Sequence, residues 1–463
     1  MISINIPVSV TSIGQWAFQG CSGLTSINIP PSVTSIEYET FSGCSGLTSI
    51  NIPSSVTKIG TYAFSSCSGL TSINIPSSVT SIGYRAFGYC SGLTSISIPS
   101  SVTSIGSEAF AYCSGLTSID IPSSVTSIGS EAFYWCSKLT SINVSIDNPM
   151  YKSINGVLYN KDQTILLAYP AGKIGSFTIP SSVTSIESRA FQGCSGLTSI
   201  NIPSSVTKIE SSMFYGCSGL TSISIPSSVT SIGSNAFFGC SKLTSIDVSP
   251  DNSMYNSTNG VLYNKDQTIL LVYPAGKIGS FTIPSSVTSI ESNAFQDCSG
   301  LTTINIPSSV TSIEYGTFSG CSGLTSISIP SSVTSIGQRA FEDCSGLTSI
   351  NIPSSVTSIG SNAFAGCSGL TSVNIPSSVT RIGSEAFSGC SGLTSIDVSP
   401  GNPMYNSTNG VLYNKDQIIL LIYPAGKIGS FTIPSSVTSI ESNAFQDCSG
   451  LTTINIPSSV TSI

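Results

Sequence analysis

Apolar and polar residues alternate along the chain in a unit that recurs every 23 residues. In the segment Leu47–Pro53, the apolar side chains of Ile50 and Ile52 flank the polar side chain of Asn51. Alternation with a period of two is typical of a half-buried β-strand. Val56–Ile59 follows as a second, shorter extended segment. Each unit is therefore predicted to form two short strands.

The alternation stops between the second strand and the next unit. The segment Thr61–Cys67 contains an Ala-Phe pair, with the cysteine three residues after the phenylalanine, and is too short to form a stable isolated helix. We expect a single helical or 3-10 turn here. Ser68 and Gly69 are expected to end it, because glycine readily adopts the left-handed conformation at such an exit.

Three units are longer than the others. Successive cysteines are mostly 23 residues apart, but three of the gaps measure 58 residues, which is 35 more. The additional residues form three long turns: 145–179, 249–283 and 399–433. Between Pro7 and Pro457, fifteen units of 23 residues and three of 35 account for every residue. The chain is thus predicted to contain about 18 turns of one repeating structure.

The long turns contain additional strand-prone segments. In the first of them these segments are Met150–Ser153, Gly156–Tyr159 and Ile165–Tyr169, and Asn155-Gly156 between the first two is a strong tight-turn signal. We expect a small meander on the flank of the repeat, in place of the tight turn and its cysteine. Two interpretations are open: a structural tie-down or spacer, and a projecting contact element.

A single unit cannot bury its own apolar side chains. Stacked units place each apolar residue above its copy in the next unit, so a continuous core forms. The predicted fold class is a β-rich repeat solenoid with parallel strands and short helical or 3-10 turns, in the form of a rod or a horseshoe. We expect one solenoid over residues 1–463, with the β-hairpin or meander of each long turn on its side.

The repeat resembles a known family. The pattern L-x-x-I-x-I, followed by P-S-S-V-T-S-I and A-F-x-x-C, is similar to that of the BspA-like leucine-rich repeat family over essentially the whole chain. The N-G-V-L-Y-N-K sequence of the long turns, at 155–161, 259–265 and 409–415, also recurs in that family. The resemblance implies a cell-surface or secreted protein of mucosal bacteria or parasitic protozoa, with a protein or glycan ligand on host or neighbouring cells.

The cysteines occupy one position of the repeat. All fifteen follow a phenylalanine by three residues and none forms a C-x-x-C pair, so we expect a structural cysteine ladder of free thiols packed against the core. Disulfides between neighbouring units and a thiol–metal ladder are the alternatives. The residues are Cys21, Cys44, Cys67, Cys90, Cys113, Cys136, Cys194, Cys217, Cys240, Cys298, Cys321, Cys344, Cys367, Cys390 and Cys448.

Composition narrows the possible functions. The chain has no histidine, 15 basic and 22 acidic residues, and a net charge of −7. Chemistry that depends on imidazole is excluded, and a nucleic-acid partner is not expected, because little positive charge is available to neutralise phosphates. Its longest strongly apolar run, Ile418–Tyr423, is far too short to span a membrane. No paired acid and base is visible. We therefore expect no enzyme activity and no catalytic, cofactor or metal site.

One cluster of aromatic residues lies at positions where most other units have small or polar residues. Tyr89, Tyr112 and Trp135 occupy the position before the cysteine in three consecutive units, and Tyr134 is adjacent to Trp135. Stacking of the units is expected to bring these rings together. Exposed aromatic clusters often mark recognition sites, so the four residues form the candidate binding patch. The alternative is that the rings only cover the edge of the core.

The predicted function is adhesion or protein binding by a non-enzymatic surface protein. A structural, self-assembling filament or surface-layer element is the first alternative, with possible end-to-end self-association, since the sequence begins and ends inside repeat units. An ice-binding protein is less expected. Serine and threonine are abundant, but Val-Thr-Ser-Ile places Thr and Ser on opposite faces of the strand.

Overall fold

The regular structure of the described residues consists entirely of β-strands. The computed structural model describes residues 3–463, and these contain 38 strands and no helix. The chain divides into two compact units, Met1–Cys240 and Ser241–Ile463. Each is a stack of repeats and is described by itself, so the expectation of one solenoid over residues 1–463 stays a prediction. One repeat of the stack is called a coil.

The first unit contains strands β1 to β18, in three classes. The first strands of its coils are β1 (Ser3–Asn5), β2 (Ser26–Asn28), β7 (Ser118–Ile121), β9 (Ser141–Val144), β13 (Gly175–Thr178), β15 (Leu197–Asn201) and β17 (Ser222–Ile225). The second strands are β3 (Ser35–Ile36), β4 (Lys58–Ile59), β5 (Ser81–Ile82), β6 (Ser104–Ile105), β8 (Ser127–Ile128), β14 (Ser185–Ile186), β16 (Lys208–Ile209) and β18 (Ser231–Ile232). The long turn adds β10 (Tyr151–Ile154), β11 (Val157–Asn160) and β12 (Ile165–Ala168).

The second unit contains strands β19 to β38 in the same classes. Its first strands are β19 (Ser245–Val248), β23 (Gly279–Thr282), β25 (Leu301–Asn305), β27 (Ser326–Ser328), β30 (Ser372–Ile375), β32 (Ser395–Val398), β36 (Gly429–Thr432) and β38 (Leu451–Asn455). Its second strands are β24 (Ser289–Ile290), β26 (Ser312–Ile313), β28 (Ser335–Ile336), β29 (Ser358–Ile359), β31 (Arg381–Ile382) and β37 (Ser439–Ile440). The long turns add β20 (Tyr255–Thr258), β21 (Val261–Asn264), β22 (Ile269–Val272), β33 (Tyr405–Thr408), β34 (Val411–Asn414) and β35 (Ile419–Ile422).

Equivalent residues of neighbouring coils lie directly over one another. Strand β7 pairs in parallel with β9 so that Ile119 faces Ile142, 23 residues further along the chain. In the second unit, β28 and β29 pair with the same offset, and Ile336 faces Ile359. This register confirms the predicted parallel solenoid.

The core is the column of apolar side chains that the sequence predicts. Leu47, Val56, Ile59 and Phe64 are completely buried, and Ile50 is almost so. The phenylalanines stack face to face from coil to coil, with centroid distances of 5.4 to 5.5 Å from Phe18 to Phe110. Such contacts between coils supply the burial that one coil lacks.

The tight turn consists of separate hydrogen-bonded turns, where the sequence predicts a single helical or 3-10 turn. In the third coil, the N–H groups of Ala63, Ser65 and Cys67 donate to carbonyl groups three residues earlier. The intervening N–H groups of Tyr62 and Phe64 donate to carbonyl groups of the next coil instead, at 2.8 Å. A helix would need all of these donors, so the stacking of coils replaces it with separate turns.

The long turns form the predicted meanders. In the first unit, β10 and β11 are antiparallel around the Asn155–Gly156 turn, where both residues have positive φ. Strand β12 is antiparallel to β11 and parallel to β14. It thereby serves as the second strand of its own coil, which integrates the meander into the stack.

One buried asparagine attaches the first meander to the preceding coil. The Asn148 side chain is fully buried, and its Nδ2 donates to the carbonyl oxygens of Pro122 at 2.8 Å and Val125 at 2.9 Å. Its Oδ1 accepts from the N–H groups of Met150 at 2.9 Å and Tyr151 at 2.8 Å. This arrangement supports the tie-down interpretation of the long turns.

Candidate binding surface

Two backbone positions of every tight turn have the left-handed conformation. They lie five residues and one residue before the cysteine, and in all fifteen cysteine-bearing turns their φ angles fall between 46° and 75°. For a residue with a side chain, this conformation costs about 1–2 kcal/mol. Glycine escapes the cost, and it occupies the position before the cysteine in eight of these turns.

The structure brings the four predicted aromatic residues together. Tyr89 and Tyr112 stack with ring centroids 4.4 Å apart and planes 7° apart, and the ring of Trp135 lies parallel to that of Tyr112 at 6.3 Å. Tyr134 meets Tyr112 and Trp135 edge-on, at 5.1 and 6.2 Å. Tyr89, Tyr112, Tyr134 and Trp135 are called the aromatic patch.

The aromatic patch occupies strained backbone. Tyr89, Tyr112 and Trp135 have φ angles of 62°, 59° and 53°, at the position that glycine fills in eight other coils. Each stacked pair of rings contributes about 0.5–1.5 kcal/mol beyond its burial, which offsets part of the strain. The regular coils fold around glycine here, so the repeat itself does not require aromatic residues at these positions.

The rings remain partly open to solvent. Tyr89 is 42% exposed, and the other three members of the patch are partly buried. Burial and the hydrogen bond with Tyr134 raise the pKa of the Tyr112 hydroxyl above its ordinary value, so it stays protonated at physiological pH. On its inner side, the indole of Trp135 covers Gly193 and Gly216. A β-carbon at Gly193 would lie 2.9 Å from the Cε3 atom of Trp135.

A second row of aromatic residues runs along the N-terminal coils. Trp16, Tyr38, Tyr62 and Tyr84 meet in edge-to-face contacts with centroid distances of 5.2 to 6.0 Å. The guanidinium of Arg85 lies 5.4 Å from the centroid of the Tyr84 ring. The sequence alone does not show this zigzag arrangement of the rings.

Two ion pairs flank the aromatic residues. Arg85 donates from Nε to Oε2 of Glu108 at 2.7 Å, and the Tyr84 hydroxyl donates to the same carboxylate at 3.0 Å. Arg189 contacts Glu131 at 2.7 Å, and its guanidinium lies 6.0 Å from the centroid of Tyr134. Both carboxylates are therefore engaged in ion pairs.

The cysteines form a ladder beside the phenylalanine column. Thirteen are buried and two, Cys21 and Cys448, are partly buried. In eleven coils the thiol donates to the carbonyl oxygen of the phenylalanine in the preceding coil, as from Cys67 to Phe41 at 3.1 Å. Each of these eleven thiols thus has a backbone partner inside the core, and all fifteen cysteines are free, in agreement with the predicted free thiols.

Burial makes these thiols weak acids. Desolvation raises the pKa of Cys44 to about 11 and those of Cys90 and Cys136 to about 12. In the unfolded chain the thiols titrate near 9, so the folded state holds protons that the unfolded state loses. The thiols favour folding fully below pH 9, and this contribution is lost as the pH rises from 9 towards 12.

We expect the protein to lose stability above pH 9 while its thiols stay unreactive below that pH. The urea midpoint should fall from pH 8.5 to pH 10.5. At pH 8, DTNB should react slowly with the native protein and should titrate nearly all fifteen cysteines in denaturant. A clear shortfall in denaturant without reductant would show disulfides and contradict the prediction.

Comparison with known proteins identifies the repeat. The family model described as the BspA type leucine-rich repeat region (6 copies) matches residues 1–116, 66–160, 168–268, 272–394 and 422–463. The chain belongs to this family. None of the curated proteins compared with the chain is a significant match.

Solved structures include bacterial proteins similar to this BspA-type repeat chain. A leucine-rich repeat protein from Eubacterium ventriosum is 29% identical, with a TM-score of 0.50, 79% of this chain covered and 88% of that one. A leucine rich cell surface protein from Faecalibacterium prausnitzii is also 29% identical, with a TM-score of 0.43 and coverages of 96% and 89%. The first likeness supports the leucine-rich repeat fold.

Neither a group of metal-ligating residues nor a membrane-spanning helix occurs among the described residues of this BspA-type chain. Within residues 3–463, no three His, Cys, Asp or Glu side chains are grouped so that they could hold a metal ion. Over the same residues, no helix is long and apolar enough to cross a membrane. Asp120 accepts a hydrogen bond from Asn143 at 2.8 Å.

Two clefts beside the meanders are not predictable from the sequence pattern. One cleft of about 210 Å³ lies at the first long turn, and another of about 330 Å³ lies at the third. Tyr134 of the aromatic patch lines the first of them. The sequence signal for the clefts is the shortened connection from β12 and β35 to the next stacked ring. This shortening can be recognised only when the long turn is aligned with a regular coil.

Proposed function

We propose that this BspA-type protein is a non-enzymatic adhesion or binding protein that contacts a partner protein through the aromatic patch. The observation that carries the proposal is the left-handed conformation of Tyr89, Tyr112 and Trp135. Strained conformations persist where the surroundings or a function maintain them. Eight other coils have glycine at this position without any change of the repeat, so folding does not require the rings, which supports a role in recognition.

The geometry of the patch favours a protein over a glycan. A sugar ring stacks on a free aromatic face, but the ring of Tyr112 stacks on Tyr89 and lies parallel to Trp135, whose inner side covers Gly193. Tyrosine and tryptophan are common energetic centres of protein–protein interfaces.

We propose a cell-surface or secreted location for the chain. The support is the resemblance to the BspA-like family, which is now shown by the family match. Filament formation and ice binding remain alternative predictions, tested by electron microscopy and by thermal hysteresis. For ice binding, many exposed threonine hydroxyls are already committed: Thr71 and Thr94 donate to backbone carbonyls of the preceding coil at 3.4 and 3.3 Å.

The decisive variant replaces Tyr89, Tyr112 and Trp135 with glycine. Glycine suits the left-handed backbone, so the variant should fold and keep its urea midpoint within a small margin. Beads coated with the full chain should adhere saturably to a layer of mucosal epithelial cells, and the triple variant should lose at least tenfold of that adhesion. Protease treatment of the cells should remove binding.

The matched control is Ser66→Gly, which changes the same backbone position one coil away without removing a ring. Tyr315→Ala removes an exposed tyrosine from the other unit. Both variants should adhere like the unaltered protein. Unchanged adhesion of the triple variant, or adhesion that survives protease but not glycosidase treatment of the cells, would overturn the proposal.

A further inference from the structure

The clefts arise because the long turns take a shorter path across the coil. In a regular coil, five residues lead from the second strand to the stacked ring, as from Ile59 to Phe64. In the third long turn, only three residues lead from Leu420 to Tyr423, whose ring stacks on Phe445 at 5.2 Å. The outer part of the tight turn is therefore missing, and the third cleft lies in its place.

Backbone donors face this missing segment. In the four preceding coils, N–H groups at three alternate positions donate to carbonyls of the next coil, as from Phe364 to Ala386 at 2.8 Å. In the coil before the third long turn, the equivalent groups belong to Glu385, Phe387 and Gly389. Within residues 3–463, none of these three N–H groups has a hydrogen-bond acceptor. In the third long turn itself, the Tyr423 N–H donates to the carbonyl of Ala444 in the next coil, at 2.8 Å.

The walls of the third cleft are apolar and its mouth is acidic. Phe387, Leu412, Leu421 and Tyr423 line the inside. At the mouth lie the exposed residues Glu385 and Glu441, and no lysine or arginine lines the cleft. Glu385 is contacted only by amide side chains, Nδ2 of Asn443 at 3.2 Å and Nδ2 of Asn362 at 3.3 Å. Its charge is therefore not neutralised by an ion pair.

The first cleft has the same origin, but an ion pair crosses its mouth. There Arg189 forms an ion pair with Glu131 at 2.7 Å across the opening, and Nε2 of Gln192 donates to the Tyr134 hydroxyl at 2.8 Å. In the third cleft, Asn443 occupies the position of Arg189, and a serine occupies that of Tyr134. These two replacements accompany the larger volume of the third cleft.

We infer that the third cleft binds an extended segment of a partner polypeptide that carries a basic residue close to an apolar one. Carbonyl groups of the segment would accept from the free N–H groups of Glu385 and Phe387, as in strand addition to an open edge. The apolar side chain would enter the cleft, and the basic side chain would neutralise Glu385 and Glu441. The acidic mouth disfavours a carboxylate or phosphate as the acceptor.

A peptide copied from a regular tight turn is a suitable probe. The acetylated and amidated hexapeptide Ile-Gly-Gln-Arg-Ala-Phe, residues 336–341, carries an arginine two residues before phenylalanine. Fluorescence anisotropy with the labelled peptide and the full chain should show saturable binding. Hydrogen exchange of residues 382–389 should slow at saturation, because the N–H groups of Glu385 and Phe387 become bonded.

The matched variant Asn443→Arg recreates the ion pair of the first cleft and should fold normally. It should weaken binding at least tenfold, as should glutamate in place of arginine in the peptide, and Glu385→Gln should weaken it at least threefold. Glycine variants of the aromatic patch should bind the peptide unchanged, which separates this test from that of adhesion. Absence of saturable binding, or equal binding by Asn443→Arg with unchanged exchange, would overturn the inference.

Discussion

Replacing Asn148 with alanine is expected to release the first meander from the coil that precedes it. The substitution leaves the buried carbonyl group of Val125 and the N–H groups of Met150 and Tyr151 without their partner. The Pro122 carbonyl loses its bond to Asn148 but keeps the Val125 N–H, at 3.3 Å. An unsatisfied buried polar group costs about 1–3 kcal/mol. Allowing for water that enters the site, we expect the local free energy of opening to fall by about 3 kcal/mol.

Native-state hydrogen exchange measures this loss. The amides of the β10–β11 hairpin should exchange roughly 100-fold faster, since about 1.4 kcal/mol corresponds to a factor of ten. The control is Asn143→Ala, whose exposed side chain bonds only to side chains, including Asp120 at 2.8 Å. Its effect should stay below about 0.5 kcal/mol. Equal effects of both variants would show that Asn148 does not anchor the meander.

Truncating Phe87 to alanine is expected to destabilise the first unit more than most single substitutions. Its buried ring stacks between Phe64 and Phe110, each at 5.5 Å, with planes within 6° of parallel. Removing such a ring leaves a cavity that the coils above and below cannot close, at a cost of about 3–5 kcal/mol. Both tryptophans, Trp16 and Trp135, lie in this unit, so tryptophan fluorescence during urea unfolding reports on it.

The end of the same column supplies the control. Phe133 contacts only one phenylalanine, Phe110, at 5.9 Å, and its other side lines the first cleft. Phe133→Ala should therefore cost at least about 1 kcal/mol less than Phe87→Ala, because part of its surroundings is already open. If the two variants lose the same stability, continuous stacking of the rings does not contribute as we infer.

The strands and their register could be predicted because strand positions that are apolar and buried alternate in the repeat with positions that are polar and exposed. Ile50 and Ile52 alternate with Asn51, and the copies 23 residues later must lie above them to exclude water from the core. The Asn155–Gly156 pair gave the hairpin of the first meander in the same way, because the tight turn needs two residues with positive φ. These features follow from local patterns.

The hydrogen bonding of the tight turns and the presence of the clefts depend on neighbouring coils. Neither could therefore be predicted from the sequence of one unit. Whether the N–H of Phe64 bonds within its own turn or to Ala86 in the next coil is decided by stacking, which no single unit encodes. The aromatic patch was predicted as a cluster, but the left-handed backbone beneath Tyr89 was not. The cleft at the third long turn requires the three-residue path from Leu420 to Tyr423 to be compared with a complete coil.

The position before each cysteine varies in this chain while its backbone does not. Gly43, Ser66, Tyr89, Trp135 and Asp297 all occupy it with φ between 53° and 75°. The backbone there has one geometry whatever side chain it carries, so single substitutions alter the outer surface while the column of rings and thiols stays in place. Gly193 is an exception, because Trp135 of the neighbouring coil lies over it. A combinatorial library confined to the other positions would sample different surfaces on one scaffold.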